Sequence, residues 1–170
     1  MQTDVERLTE FRAGDLEGLC EATDEAISDG LGFDWVEVPS RQVLEAYWRG
    51  VLLVPDRELF MARLDGAVAG TSQLVKPPAN NQAGAFNAII TAFFVTPWAR
   101  GHGLARRLLD DVIVFARAEG FKMLSLDVRE TQQVAISFYE NAGFVRWGTK
   151  PKYALVNSRF IAGHFYTKDL

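Results

Sequence analysis

An apolar run that breaks at a proline and reopens as a helix through two glycines constrains this chain more than any other feature. It reads Phe93-Phe94-Val95-Thr96-Pro97-Trp98-Ala99-Arg100-Gly101-His102-Gly103-Leu104-Ala105. The helix after it follows from periodicity. Leu104, Leu108, Val112 and Ala116, with Leu109 and Ile113, share one face, while Arg106, Arg107, Asp110, Asp111, Arg117 and Glu119 lie largely on the other. At such a helix start the first backbone N–H groups lack intrahelical acceptors, and the dipole leaves partial positive charge there. Gly101 and Gly103 let backbone approach closely, and Arg100 adds a planar fork suited to phosphate oxygens. The corner therefore reads as a site for a phosphate or pyrophosphate. The plainer alternative is a tight strand-to-helix turn with an incidental arginine.

The identity of the phosphate ligand is narrowed by what the corner lacks. A Walker loop needs Gly-Lys-Ser/Thr, and here the chain has Gly103-Leu104-Ala105. A dinucleotide fingerprint gains its first two glycines from Gly101 and Gly103, and Asp127 closes the next strand, where a ribose-binding acid would sit. Against it, Arg106 stands where the third glycine belongs, and Pro97 to Arg100 intervene between the strand and the first glycine.

The remaining segments punctuate cleanly. A strand is expected over Val5–Arg12, then a helix capped by Asp15 with Leu16, Leu19, Cys20, Ala26 and Ile27 inward, ended by Gly30 and Gly32. Ser40 is expected to cap a second helix with Val43, Leu44, Tyr47 and Trp48, stopped by Gly50. Extended runs follow at Glu58–Leu64 and Ala67–Val75, joined by the hairpin signal Asp65–Gly66. Strand is expected at Ala85–Thr96, helix at Gly103–Glu119, strand at Lys122–Val128 and helix at Gln132–Asn141, with two strands from Phe144 to the end. This order describes one mixed α/β domain over residues 1–170. Its single βαβ unit requires a right-handed crossover and a parallel strand pair, and the rest of its sheet is antiparallel.

Composition closes off other classes. With 170 residues and 48% hydrophobic side chains, the chain can bury a core without a disulfide or structural metal. A lone cysteine, Cys20, fits a reducing cytoplasm and the buried side of the first helix. No apolar run reaches membrane-spanning length. The net charge of −4 and the absence of a basic stripe argue against nucleic acid. Acidic residues crowd Glu10 to Glu37, either as a solvated face or as a potential that attracts a cation.

Arg100-Gly101-His102-Gly103-Leu104-Ala105 resembles the acyl-CoA signature of the GNAT N-acetyltransferase family, with Arg100, Gly103 and Ala105 at its fixed positions. Ala135-Ile136-Ser137-Phe138-Tyr139-Glu140-Asn141-Ala142-Gly143-Phe144 resembles that family's second motif, a helix bearing Phe-Tyr and ended by Gly-Phe. The resemblance implies the GNAT fold, a mixed, mostly antiparallel sheet with a splayed parallel strand pair, flanked by helices. It implies acetyl-CoA as acetyl donor, and a primary amine of a small molecule or peptide as acceptor in a ternary complex. The pyrophosphate is then expected on Arg100, Gly101, His102, Gly103, Leu104 and Ala105. The pantetheine arm is expected along Phe93, Phe94 and Val95, with a backbone N–H near Phe94 facing the thioester oxygen. Tyr139 is implied as the general acid to the departing thiolate.

Two departures from the family pattern stand out. Gln132 occupies the place where many relatives carry an Asn that contacts CoA. No carboxylate lies on Ala88-Ile89-Ile90-Thr91-Ala92, where many relatives hold a general base, so another route must remove the amine proton; Glu130, Tyr153, His164 and Tyr166 are candidates. Trp35 is a candidate lining of the amine pocket. The missing base also leaves open a non-catalytic acyl-CoA-binding sensor or partner subunit with this fold. The C-terminal strands offer an edge through which two copies could pair.

Overall fold

The computed structural model describes residues 1–30 and 33–170; Gly32, expected to help end the first helix, lies outside the described residues. Among the described residues, seven strands form one sheet in the order β1-β2-β3-β4-β5-β7-β6. They are β1 Thr3–Leu8, β2 Arg57–Leu64, β3 Ala67–Val75, β4 Asn87–Val95, β5 Met123–Arg129, β6 Val145–Val156 and β7 Arg159–Asp169. The helices described pack on it: α1 Asp15–Ser28, α2 Arg41–Leu53, α3 Leu104–Ala118 and α4 Gln133–Asn141. Every strand pair is antiparallel except β4 with β5. Order and pairing thus match the expected mixed sheet with one parallel pair.

Two apolar layers sandwich the sheet. Leu104, Leu108, Leu109, Val112 and Ala116 of α3 join Ile136 and Tyr139 of α4 over Phe60, Leu74, Ile90, Leu124 and Leu126. On the opposite face, Leu19, Cys20 and Ala26 of α1 and Leu44, Trp48 and Val51 of α2 cover Leu59, Met61, Ala92 and Phe94. Each fully buried Leu or Phe contributes roughly 1.5–3 kcal/mol of transfer free energy, so these layers dominate the folding energetics. The Trp48 indole N–H donates to Thr23 Oγ1 at 2.9 Å, and the Thr23 hydroxyl donates to Leu19 O at 2.6 Å, which satisfies the polar tip of a fully buried ring.

Local expectations shift at several ends. β1 stops at Leu8, the last residue paired with β2, rather than at Arg12. Asp15 does not cap α1. Gly14, at φ +86°, takes that position, and the Asp15 carboxylate turns back to accept from Arg12 N and from Arg63 at 2.6 Å. Burial of Asp15 (2% exposed) makes a charged partner necessary, and that partner outcompetes the helix's own N–H groups. Gly50 sits inside α2, which continues to Leu53 because Trp48 and Val51 are buried against the sheet. β4 begins at Asn87, since the N–H groups of Gly84 and Asn87 close local turns onto Asn81 and Gly84. The Ser40 cap and the Asp65–Gly66 turn, with φ of +48° and +85°, fall where expected.

Candidate active site

β4 contains one irregularity from which the site follows. Thr71 of β3 lies opposite Phe94 and Gln73 lies opposite Thr91, so the single residue Ser72 faces both Ala92 and Phe93. The extra residue is a β-bulge, and Ala92 accommodates it at φ +48°. Thr71 Oγ1 holds the bulge by donating to Ala92 O at 3.0 Å. An unbroken strand would send 88, 90, 92 and 94 to one face. Here Ala88 and Ile90 enter the α3 layer, while Ala92 and Phe94 enter the α1–α2 layer and Phe93 and Val95 turn toward α3 and α4.

The second consequence is a splay. β4 and β5 pair only at Asn87–Met123, Ala88–Leu124 and Ile89–Ser125. Beyond Ile89 the bulged half of β4 runs with β3 alone, while β5 continues with β7 as far as Arg129. A wedge opens between Phe93–Val95 on one side and Leu126–Arg129 on the other. An extended ligand arm entering there meets backbone groups that no neighbouring strand occupies.

The wedge leads to the glycine corner. Pro97–Ala99 forms one turn of 3-10 helix, and Gly101 (φ +80°) and Gly103 (φ +75°) then adopt left-handed backbone before α3 starts at Leu104. Among the described residues, no acceptor takes the N–H groups of Gly101, His102, Gly103, Leu104 or Ala105. They remain available to an anion at the positive end of the α3 dipole. The His102 ring instead bonds through Nδ1 to Ala99 O at 3.2 Å, as a loop residue does.

The two side chains expected to touch the donor are engaged elsewhere. Arg100 pairs with Asp29, just past α1, at 2.5 Å. Gln132 stands at the start of α4, and its side-chain amide donates to Gly30 O. Arg129 holds Phe33 O at 2.7 Å. The exit of α1 is therefore tied to the glycine corner and to the β5–α4 junction.

Tyr139 projects from α4 into the wedge. Its ring lies 5.8 Å from Phe93, 5.4 Å from Phe138 and 5.7 Å from Phe144. The side chain is buried (6% exposed), and its hydroxyl has no hydrogen-bond partner among the described residues. Burial first, and the Asp127 carboxylate second, push its pKa well above the tyrosine range, so the oxygen keeps its proton.

The family model for the Acetyltransferase (GNAT) family matches residues 21–144, which spans the bulged strand, the glycine corner and Tyr139. The chain belongs to the GNAT acetyltransferase family. An uncharacterized N-acetyltransferase of Azospirillum brasilense, from its hisH–hisA intergenic region, is 57% identical over 129 residues, 76% of this chain and 77% of that protein. The fold recurs in an N-acetyltransferase of Staphylococcus aureus at TM-score 0.84 and 18% identity, over 99% of both chains. It recurs too in an acetyltransferase of Salmonella typhimurium solved with acetyl-CoA, at TM-score 0.81 and 16% identity, over 100% of this chain and 95% of that one.

Within this GNAT enzyme the proton-route candidates separate. Tyr166 is buried; it donates to Glu140 at 2.8 Å and accepts from Arg146, which fixes β7 to α4 and β6. His164 bonds Thr149 Oγ1 at 2.8 Å. Glu130 is exposed. Trp35 packs on Tyr47 at 4.9 Å and Phe33 at 5.7 Å, at the border of the α1–α2 layer. Tyr153 donates to Asp127, a residue that sequence reasoning considered only as a ribose ligand. Their link needs a register slip between β6 and β7, and no local pattern announces it.

Proposed function

We propose that this chain transfers the acetyl group of acetyl-CoA directly to a primary amine of a small molecule or peptide, with residues 1–170 acting as one catalytic domain in the cytoplasm. The observation that carries the reading is the wedge itself. β4 leaves β5 at a bulge, the open backbone leads to unoccupied helix N–H groups, and an unpartnered tyrosine hydroxyl lies in between. Phe93, Phe94 and Val95 would align the pantetheine arm. The N–H groups from Gly101 to Ala105 would hold the pyrophosphate, with Arg100 and Gln132 joining once they leave Asp29 and Gly30.

In the reaction, the amine lone pair forms a bond to the thioester carbon, and the carbonyl oxygen gains charge beside the backbone of the bulge. The C–S bond then breaks with its electrons on sulfur. Tyr139 donates a hydrogen bond to that sulfur. Because its hydroxyl holds a proton more tightly than a thiol does (about pKa 8.5 for a free thiol), stabilising the thiolate by donation is favoured over complete early transfer. The alternative of a non-catalytic acyl-CoA sensor has the absent β4 carboxylate in its favour. The two part on one assay, release of free CoA thiol on mixing acetyl-CoA with primary amines. Amine-dependent release supports the enzyme; tight acetyl-CoA binding without any release supports the sensor.

Two copies would meet through β6, the edge strand, where Val145, Trp147 and Leu155 are exposed. Light scattering of the purified protein distinguishes dimer from monomer.

A further inference from the structure

The carboxylate missing from β4 has a counterpart on β5. Asp127 lies beyond the last β4–β5 pair, in register with Phe165 of β7, and on the sheet face opposite the buried Leu126 and Val128. Tyr153 reaches it from β6 by crossing over β7. The β6–β7 register slips between Lys150 and Ala154, which turns Tyr153 across the neighbouring strand. Gly163 makes room, because a Cβ there would run into the Tyr153 ring. The ring stands edge-on to Phe165 at 6.0 Å, and its hydroxyl donates to Asp127 Oδ2. Asp127 Oδ1 has no partner among the described residues.

An independent observation points from the other side of the wedge to the same place. Tyr139 is more than nine-tenths buried, its hydroxyl has no partner among the described residues, and burial together with the Asp127 carboxylate raises its pKa. Asp34, from the α1–α2 connection, also acts on Tyr153. A strand slip, a glycine and a tyrosine therefore hold the Asp127 carboxylate on the β5 side of the wedge, exposed and with one oxygen unpartnered among the described residues, where a positive group is the natural occupant.

We propose that Asp127 is the acceptor-side anchor of the wedge, binding the ammonium of a cationic primary amine, with Tyr153 as its positioning residue. This rests on the acetyltransferase reading above and names its substrate class. The anchored ammonium gives one proton to the carboxylate, and the freed lone pair forms the N–C bond. When the C–S bond breaks, its electron pair goes to sulfur. The second nitrogen proton ends on that sulfur through the Tyr139 hydroxyl, and Asp127 returns its proton to water. The products are the amide, CoA thiol and one proton.

The test compares phenethylamine, agmatine and spermidine, all cationic at neutral pH, with neutral 4-ethylaniline, by CoA-thiol release from the full chain. Asp127→Asn keeps an oxygen to accept from Tyr153 but removes the charge. It is expected to raise KM for a cationic probe about 10- to 100-fold, to change rates with 4-ethylaniline less than about twofold, and to leave the acetyl-CoA Kd unchanged. Asp127→Glu, retaining the charge, should recover part of the loss, and Tyr153→Phe should cost less than Asp127→Asn. Equal losses on cationic and neutral amines, or no loss on either, overturn the proposal. So does turnover of 4-ethylaniline alone, or acetyl-CoA binding without turnover of any probe. Failure of the wild-type chain to bind acetyl-CoA is a different result, which removes the acetyltransferase reading beneath it.

Discussion

The Phe93 ring stands nearly edge-on to Tyr139, centroids 5.8 Å apart and planes at 69°, so the bulged half of β4 and helix α4 meet through two aromatic side chains. An unbulged β4 would carry Phe93 to the opposite face, away from α4. The Tyr139 ring is thereby buried, while its hydroxyl has no protein acceptor among the described residues. Tyr139→Phe retains this packing and removes only the hydroxyl. It is expected to lower kcat about 100-fold, with acetyl-CoA Kd altered less than about twofold, as measured by steady-state kinetics beside calorimetry. Because burial and the Asp127 charge both raise the Tyr139 pKa, kcat should show no loss from tyrosine ionisation up to its ordinary value of 10.0.

Asp29 holds one nitrogen of Arg100 and so competes with the pyrophosphate proposed for that side chain. Both side chains are roughly half exposed, so the pair itself contributes little, on the order of 0–1 kcal/mol. Asp29→Ala is therefore expected to tighten acetyl-CoA binding about two- to threefold. Arg100→Ala is expected to weaken it about tenfold. Calorimetric titration of both variants checks the opposite signs.

The left-handed backbone at Ala92 limits what that position tolerates. A β-branched side chain there is penalised by its own backbone, about 1–2 kcal/mol. It also enlarges a site already buried against α1 and α2. Ala92→Val should lower the urea midpoint and acetyl-CoA affinity together, whereas Ala92→Gly should stay close to wild type. A Val variant with unchanged midpoint would show that the bulge does not depend on residue 92.

Much of this arrangement was legible in the sequence because it is written in local pattern. The glycine corner, the α3 periodicity, the Phe138–Tyr139 helix and the Asp65–Gly66 turn each declare themselves within a few residues. What escaped depends on contacts distant in the chain. Asp15 resembles a cap by position, yet Arg63, 48 residues away, claims its carboxylate. Gly50 resembles a stop, yet burial of Trp48 and Val51 carries α2 past it. Arg100 and Gln132 read as ligand contacts, and in the structure they hold the end of α1. The Asp127–Tyr153 link requires a slip between strands that sequence does not display.

Acid stability provides a check away from the site. Burial opposes ionisation of Glu58, but hydrogen bonds from Lys76 at 2.9 Å and Arg7 at 2.8 Å outweigh it, so its pKa falls below the ordinary 4.5. A depressed carboxylate pKa adds stability above the unfolded value and loses it as pH drops through the folded one. Wild type should therefore exceed Glu58→Gln in urea stability at pH 7, and the gap should close below pH 4.5. A gap that persists unchanged into acid would contradict this.

The wedge between β4 and β5, with the glycine corner at its end, is proposed as the acetyl-CoA site. Calorimetric titration of the folded chain with acetyl-CoA, and of Arg100→Ala in parallel, is the decisive experiment. Binding in the micromolar range is expected, weakened about tenfold by the substitution. A folded protein that releases no heat with acetyl-CoA or with CoA would reduce the corner to a tight turn.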